Sequence, residues 1–332
     1  MGDIPQRPRR EGAGRNRRWE QDNAEASGHE RPSQVDARTR PDGSQQPPVP
    51  VPDSDEKDAA FVNLILNAAG HKPGVPQNRY DAIRSPKADL WRAAEKAEYD
   101  SLMENKTWIL VPRPKDKPVV SCRWVYDEKH DGRHKARLVA RGFTQVWGEN
   151  YHETFSPVAG YESIRYLTAH AALEDWEMEA MDVKTAFLNG DLEEEIYMEQ
   201  LEGWAVKGKE DHVCLLKKAI YGLKQASRQW NAKIHQSLLD MDFIRTYSDA
   251  GVYVYRRQRG NTVTIVVLYV DDLLLFGSDK NHIKQVKRTL SRQYKMMDLG
   301  PVKCFLGLCF SRDRTSCIID IDQEEYVQSV LE

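Results

Sequence analysis

Two adjacent carboxylates interrupt the most apolar stretch of this chain. Residues 263–276 read VTIVVLYVDDLLLF, so Asp271 and Asp272 fall between two runs of Val, Ile and Leu. Each run has the length and β-branched content of a buried strand, and the acids sit where the chain must turn between them. Neighbouring carboxylates in such surroundings repel one another and lose hydration, at a cost of several kcal/mol unless something neutralises them. Divalent cations are the natural partner, because hard ions prefer carboxylate oxygens. The plainer alternative is a solvated Asp-Asp hairpin turn.

A third acid strengthens the cation reading. Asp182 closes the alternating run Trp176, Met178, Ala180 and stands just before Lys184-Thr185-Ala186-Phe187. If that run lies beside the hairpin, Asp182 and Asp271 face one another across strand ends. Such a set can hold two metals about 4 Å apart, one on an attacking oxygen and one on a leaving oxygen, which suits phosphoryl transfer from a nucleotide.

The elements that must position these acids can be read in outline. Ser85-Pro86 reads as a helix opening, and Leu90, Trp91, Ala94 and Leu102 continue an amphipathic helix to about residue 105. Short strands are expected at 108–111, 122–127 and 137–141, with a turn at Asp131-Gly132. A helix over 163–173, a half-buried strand over 176–180 and a strand over 195–198 follow. Next come a helix over 223–241 with Trp230, Ile234 and Leu238 inward, a strand over 252–255 and the hairpin. Asp279 caps a helix carrying Ile283, Val286 and Leu290, and Asp322 with Glu325 opens a last one. Hairpins alternating with helices predict an α+β fold with an antiparallel sheet.

Residues 1–57 are rich in Arg, Pro, Asp, Gln and Ser, and predict a disordered, Pro-stiffened tail ahead of a linker over 58–84. Its Arg clusters are nearly balanced by Asp and Glu. Across all 332 residues, 48 Lys and Arg against 51 Asp and Glu leave a net charge of −3, so the totals show no bias towards nucleic acid. The five cysteines, at 122, 214, 304, 309 and 317, form no C-x-x-C and read as buried small hydrophobes in a reducing compartment. His130 and His134 flank Gly132 and read as a solvated turn. Glu193, Glu194 and Glu195 read as a solvated hairpin face. The helix with Lys284, Lys287, Arg288 and Arg292 presents either a solvated face or a contact to a nucleic-acid backbone. No leader-like apolar run opens the sequence, and the longest apolar stretch is cut by two acids. A soluble, intracellular protein is expected.

Longer motifs narrow the reading. KARLVARGFTQ, YHETFSPVA, MDVKTAFLNGDLEEEIYM, AIYGLKQASRQW, LYVDDLLLFG, DLG and FLG follow in this order. In order and spacing they resemble the reverse transcriptase of copia-type LTR retrotransposons, from about residue 86 onward. The resemblance implies a right-hand polymerase with fingers and palm over 85–310. It implies a thumb that begins at 311–332 and stops within its first helix. Asp182, Asp271 and Asp272 would be the catalytic carboxylates, holding two Mg²⁺ ions (or Mn²⁺) with help from the Val183 carbonyl.

Phe187 matches an aromatic steric gate, whose ring leaves no room for a 2′-hydroxyl. Lys135 and Arg137 resemble the fingers cations that hold an incoming triphosphate. Tyr221, Gly222, Lys224 and Gln225 resemble the segment against the nascent base pair, where a glycine lets backbone approach closely. Phe305, Leu306 and Gly307 resemble the primer grip. The implied substrates are dNTPs and a primer on an RNA or DNA template, with other polyprotein domains as partners and no membrane. By family, a cytoplasmic virus-like particle is the expected location, with the nucleus as an alternative.

Three departures stand out. Met297 replaces a family lysine in YKMMDLG, Cys309 follows FLG where an acid is usual, and Leu201 stands where the family has proline. Met297 and the short C-terminus keep open a catalytically inactive relic, and the Arg/Pro tail leaves a host-adopted nucleic-acid-binding or interaction protein as a third reading.

Overall fold

The computed structural model describes residues 74–129, 132–257 and 262–331. The tail over 1–57, most of the linker and Asp131 of the expected turn lie outside the described residues. The apolar run over 263–276 forms the two central strands of a six-stranded antiparallel sheet. Its order is Met296–Pro301, Glu177–Val183, Asp272–Gly277, Val263–Tyr269, Val252–Arg256, Ile244–Arg245. Both faces are covered, which explains an unbroken apolar sequence where a one-sided sheet would alternate.

On one face Trp230, Ile234 and Leu238 of helix Ala226–Leu239 and Ile283, Val286 and Leu290 of helix Lys280–Gln293 pack on Met181, Val183, Val266 and Leu273. On the other, Ile164, Leu167 and Ala171 of helix Tyr161–Leu173 cover Met178, Ala180, Val267 and Leu274. The strand Glu177–Val183 was expected to be half-buried. It is buried along most of its length because it lies between two neighbours.

A second core gathers a four-stranded sheet (Trp108–Pro112, His212–Leu216, Tyr197–Met198, Val119–Val120) and the hairpin Cys122–Glu128/His134–Ala140. Helices Arg79–Arg84 and Ala88–Glu104 complete it, with Trp91, Leu102, Trp124 and Leu138 nearly inaccessible. At its centre, Glu95 accepts from Tyr126 Oη at 2.6 Å and Trp204 Nε1 at 3.0 Å, and pairs with Arg79 Nε at 3.2 Å. A carboxylate buried this deeply is tolerable because its oxygens have partners. The folded part therefore reaches into the expected linker. Ser85 is not the cap of the long helix. It ends the preceding one, its Oγ donating to the Ala82 carbonyl.

The C-terminal part also differs from expectation. Residues 304–322 form a three-stranded sheet that the sequence did not signal, Cys304–Phe305, Leu308–Asp313 and Ile318–Asp322. The helix expected to open at Asp322 follows it as Glu324–Leu331, where Asp322 Oδ1 accepts from Glu324 N–H at 3.1 Å. Cys304 and Cys309 face each other across its first turn and form a disulfide, so the reading of all five cysteines as buried thiols fails there. His134 packs edge-on against Trp91 at 4.3 Å instead of lying in solvent. Lys287 is buried, pairing with Glu179 and Asp298. Among the described residues no helix is long and apolar enough to cross a membrane.

Candidate active site

Sheet register brings the three acids together. Asp272 opens its strand directly opposite Asp182, and Asp271 occupies the two-residue turn before it. The partner of Asp182 in register is thus Asp272 and not Asp271. Asp271 joins through its backbone, its carbonyl accepting from Val183 N–H at 2.9 Å. Val270, the other turn residue, has a left-handed φ of 54°, which is costly for a β-branched side chain. The buried indole of Trp230 holds it there by donating to the Val270 carbonyl at 2.6 Å.

The electrostatics follow from this packing. Burial, then the neighbouring Asp271 and Asp182, push the Asp272 carboxyl up to about 6. Burial and Asp271 also raise Asp182, against the pull of Lys135 and Lys184. Such a cluster favours a cation. Its donor set, three carboxylates and the Val183 carbonyl, consists of hard oxygens. Among the described residues no group of three or more His, Cys, Asp or Glu side chains is arranged so as to hold a metal ion by itself. Mg²⁺ does not require one, since it keeps several waters and takes one or two carboxylates together with substrate phosphates. The residues fit that ion.

Several of the other expected residues lie around the acids. Thr185 turns the chain through a left-handed φ of 53°, sending Ala186–Asn189 into a 3-10 turn. Phe187 is thereby left half-buried, edge-on to Tyr221 at 4.7 Å. The Arg137 guanidinium stands 5.5 Å from the Tyr221 ring centroid, and its Nε is buried without a hydrogen-bond partner. Burial pushes the Tyr221 hydroxyl up to about 12, with Arg137 opposing and Asp271 adding to the rise. Lys135 still reaches solvent, but partial desolvation, then the neighbouring Arg137 and Lys129 charges, lower its pKa.

Other expected contacts are differently placed. Gln225 is fully buried, donating to the Asn150 carbonyl at 2.8 Å and accepting from Gln145 Nε2 at 3.0 Å. It braces the loop and offers no free amide to a nucleotide. Lys224 donates to Tyr151 Oη at 2.8 Å. Phe305 is a core anchor and Leu306 is half-buried against the same core, leaving Gly307 as the exposed residue of the expected primer-grip turn, in which both Leu306 and Gly307 have positive φ. Lys295 pairs with Glu104, and Met297 lies in register with Asp182. Trp230 was legible as an inward residue, but its grip on the acidic turn had no signal in the sequence.

Gly222 has a φ of +88°, and a Cβ there would lie 2.1 Å from the Ala140 carbonyl oxygen. Gly222→Ala is therefore expected to cost at least about 2 kcal/mol in urea unfolding. An unchanged midpoint would show that this approach is not rigid.

A family model described as reverse transcriptase (RNA-dependent DNA polymerase) matches residues 105–332. The chain is 45% identical over 262 residues to the "Retrovirus-related Pol polyprotein from transposon TNT 1-94" of Nicotiana tabacum, covering 77% of this chain and 20% of that protein. Against the corresponding polyprotein from transposon RE2 of Arabidopsis thaliana it is 38% identical over 285 residues, covering 79% and 19%. The chain thus spans about a fifth of the length of these relatives. A solved apo telomerase from Candida Tropicalis aligns at 11% identity with a TM-score of 0.38, over 70% of this chain and 60% of that one.

Proposed function

Since this chain belongs to the reverse transcriptase family of copia-type retrotransposon Pol polyproteins, we propose that it is their RNA-directed DNA polymerase module, adding dNTPs to a primer on an RNA or DNA template. In this reading the six-stranded sheet and its helices are the palm, and the cation-bearing hairpin and its core are the fingers. The observation that carries the proposal is the in-register placement of Asp182 and Asp272 with Asp271 in the adjoining turn. Asp182, Asp271, Asp272 and the Val183 carbonyl would hold Mg²⁺, two ions by family. When bound, these ions supply charge neutralisation at the attacking 3′-oxygen and at the leaving pyrophosphate.

The chain's own residues do the positioning. Lys135 and Arg137 take the triphosphate through charge-assisted hydrogen bonds. Phe187, braced by Tyr221, closes the space beneath the sugar. The Leu306–Gly307 turn holds the primer end, and Trp230 fixes the acidic turn against which that end reacts. Virus-like particles, other polyprotein domains and a nuclear phase belong to the same proposal through the family.

The test is primer extension on poly(rA)–oligo(dT) with dTTP and Mg²⁺ or Mn²⁺, beside an Asp271→Asn, Asp272→Asn variant. Extension by the natural chain alone is expected. Equal extension by both would remove the carboxylates from the chemistry, and none by folded natural protein would leave an inactive relic.

One observation favours that second reading. Met297 sits across from Asp182, in the place of the family lysine that serves the pyrophosphate leaving group. Met297→Lys is expected to pull the Asp182 carboxyl back towards its ordinary range and to raise extension about tenfold at neutral pH. A pH–rate profile identical to that of the natural chain would refute this role for the position.

A further inference from the structure

The strand His134–Ala140, which carries Lys135 and Arg137, pairs along one side only, with Cys122–Glu128. Its other edge is open, and an open edge presents backbone donors that need partners. Two of them are met from outside the hairpin. Ala140 N–H donates to the Tyr221 carbonyl at 2.8 Å. Leu138 N–H donates to Oε1 of Glu98 at 3.3 Å. N–H groups two residues apart point the same way along a strand, so both contacts grip one edge, directly after Arg137.

Glu98 comes from helix Ala88–Glu104, which packs along this strand. That helix lies upstream of residues 105–332, the part matched by the family model. The charges sense one another. Burial raises the pKa of Glu98, while the Leu138 N–H, Lys135 and Arg137 hold it down. Lys135 in turn feels Glu98 on one side and Asp182 on the other. Glu98 thus connects the helix to the strand that carries Lys135, a cation that also feels Asp182.

We propose that Glu98 is a positioning residue for nucleotide binding: it clamps the open edge at Leu138 and so fixes Lys135 and Arg137 towards the carboxylates before a triphosphate arrives. The inference rests on the reading of Lys135 and Arg137 given above. A side-chain carboxyl suits the task because its oxygen reaches across from the helix to accept from the Leu138 N–H that the strand's open edge leaves without a ladder partner. It touches the strand and not the nucleotide, so it acts through the two cations.

Sign separates this role from a bystander's. An anion near a phosphate site weakens phosphate binding by charge alone, so its removal would tighten binding. Loss of a clamp has the opposite effect, because misplaced cations bind less well. Tripolyphosphate binding to the full chain, followed by titration calorimetry on protein shown to be folded, reads the difference. Glu98→Ala is expected to weaken binding about tenfold. Glu98→Gln keeps an oxygen acceptor for Leu138 and is expected to stay within about threefold of the natural chain.

Unchanged or tighter binding in Glu98→Ala overturns the proposal, as does a Glu98→Gln as weak as Glu98→Ala. The Lys135→Ala, Arg137→Ala double variant distinguishes the two levels of the argument. If it binds tripolyphosphate as the natural chain does, the cation reading itself falls, and this inference with it. If it is impaired while Glu98→Ala is not, only the clamp is lost.

Discussion

Asp182→Asn is expected to slow primer extension by about 10²–10³-fold or more, and at the same time to make the metal-free protein more stable near neutral pH. The two effects have one cause. Asp182 and Asp272 are harder to ionise in the fold than in the unfolded chain, because burial and neighbouring acids disfavour their charged forms. A carboxyl whose folded pKa is raised favours folding most below its unfolded pKa, and this contribution is lost as pH rises through the folded value. For Asp272 that window runs from the ordinary 3.8 to about 6. Metal-free natural protein should therefore gain stability as pH falls from 7 towards 4. Asp182→Asn should start higher at pH 7 and gain less, since one repelling charge is already gone. Mg²⁺ should reverse the order, stabilising the natural chain more than the variant. Thermal scans at several pH values, with and without Mg²⁺, read all of this. A variant that is less stable than the natural chain at pH 7 without metal would show that the cluster is not under electrostatic stress.

Phe187→Ala is expected to lower the preference for dTTP over UTP about 100-fold, measured as a ratio of kcat/KM values. The ring is half-buried, edge-on to Tyr221, and touches both the core beneath the cation hairpin and the core beneath the sheet. Its position is thus fixed from two sides, as an exclusion device requires. Truncation removes the steric wall and costs stability of about 1–3 kcal/mol, less than for a fully enclosed ring. Phe187→Tyr keeps the wall and should keep the discrimination. If Phe187→Ala loses turnover on both nucleotides equally, the ring supports the fold and does not select the sugar.

Local features were legible where local physics dominates. The apolar run around Asp271 and Asp272 announced a buried hairpin, and Asp279 announced a helix start, where its side chain accepts from Asn281 N–H. Features set by pairing were not. Nothing in the spacing of Asp182 and Asp272 states that they are partners, because register depends on which strands become neighbours. Ser85-Pro86 carries a start signal that the structure uses as a stop, since a second helix ends there. Lys287 looked like one cation among four on a polar face. Only the approach of Glu179 and Asp298 from the sheet explains its burial. The disulfide had a faint signal, a glycine inside the four residues separating Cys304 from Cys309, which suits a two-residue turn. Gln225 was legible as part of a motif, yet its enclosure by Gln145 and Asn150 depends on a loop some 75 residues away in sequence.

The two helices over 79–104 have a bearing on how such a gene decays. Trp91 and Leu102 fill the same core as Trp124 and Leu138, so a polypeptide beginning at residue 105 would expose an aromatic hollow instead of a finished domain. An in-frame deletion confined to the codons for 79–104 would leave every polymerase motif readable and still yield a chain prone to aggregation and proteolysis. In surveys of retrotransposon copies, integrity of this upstream stretch would then separate copies able to make a folded enzyme from those that merely spell one.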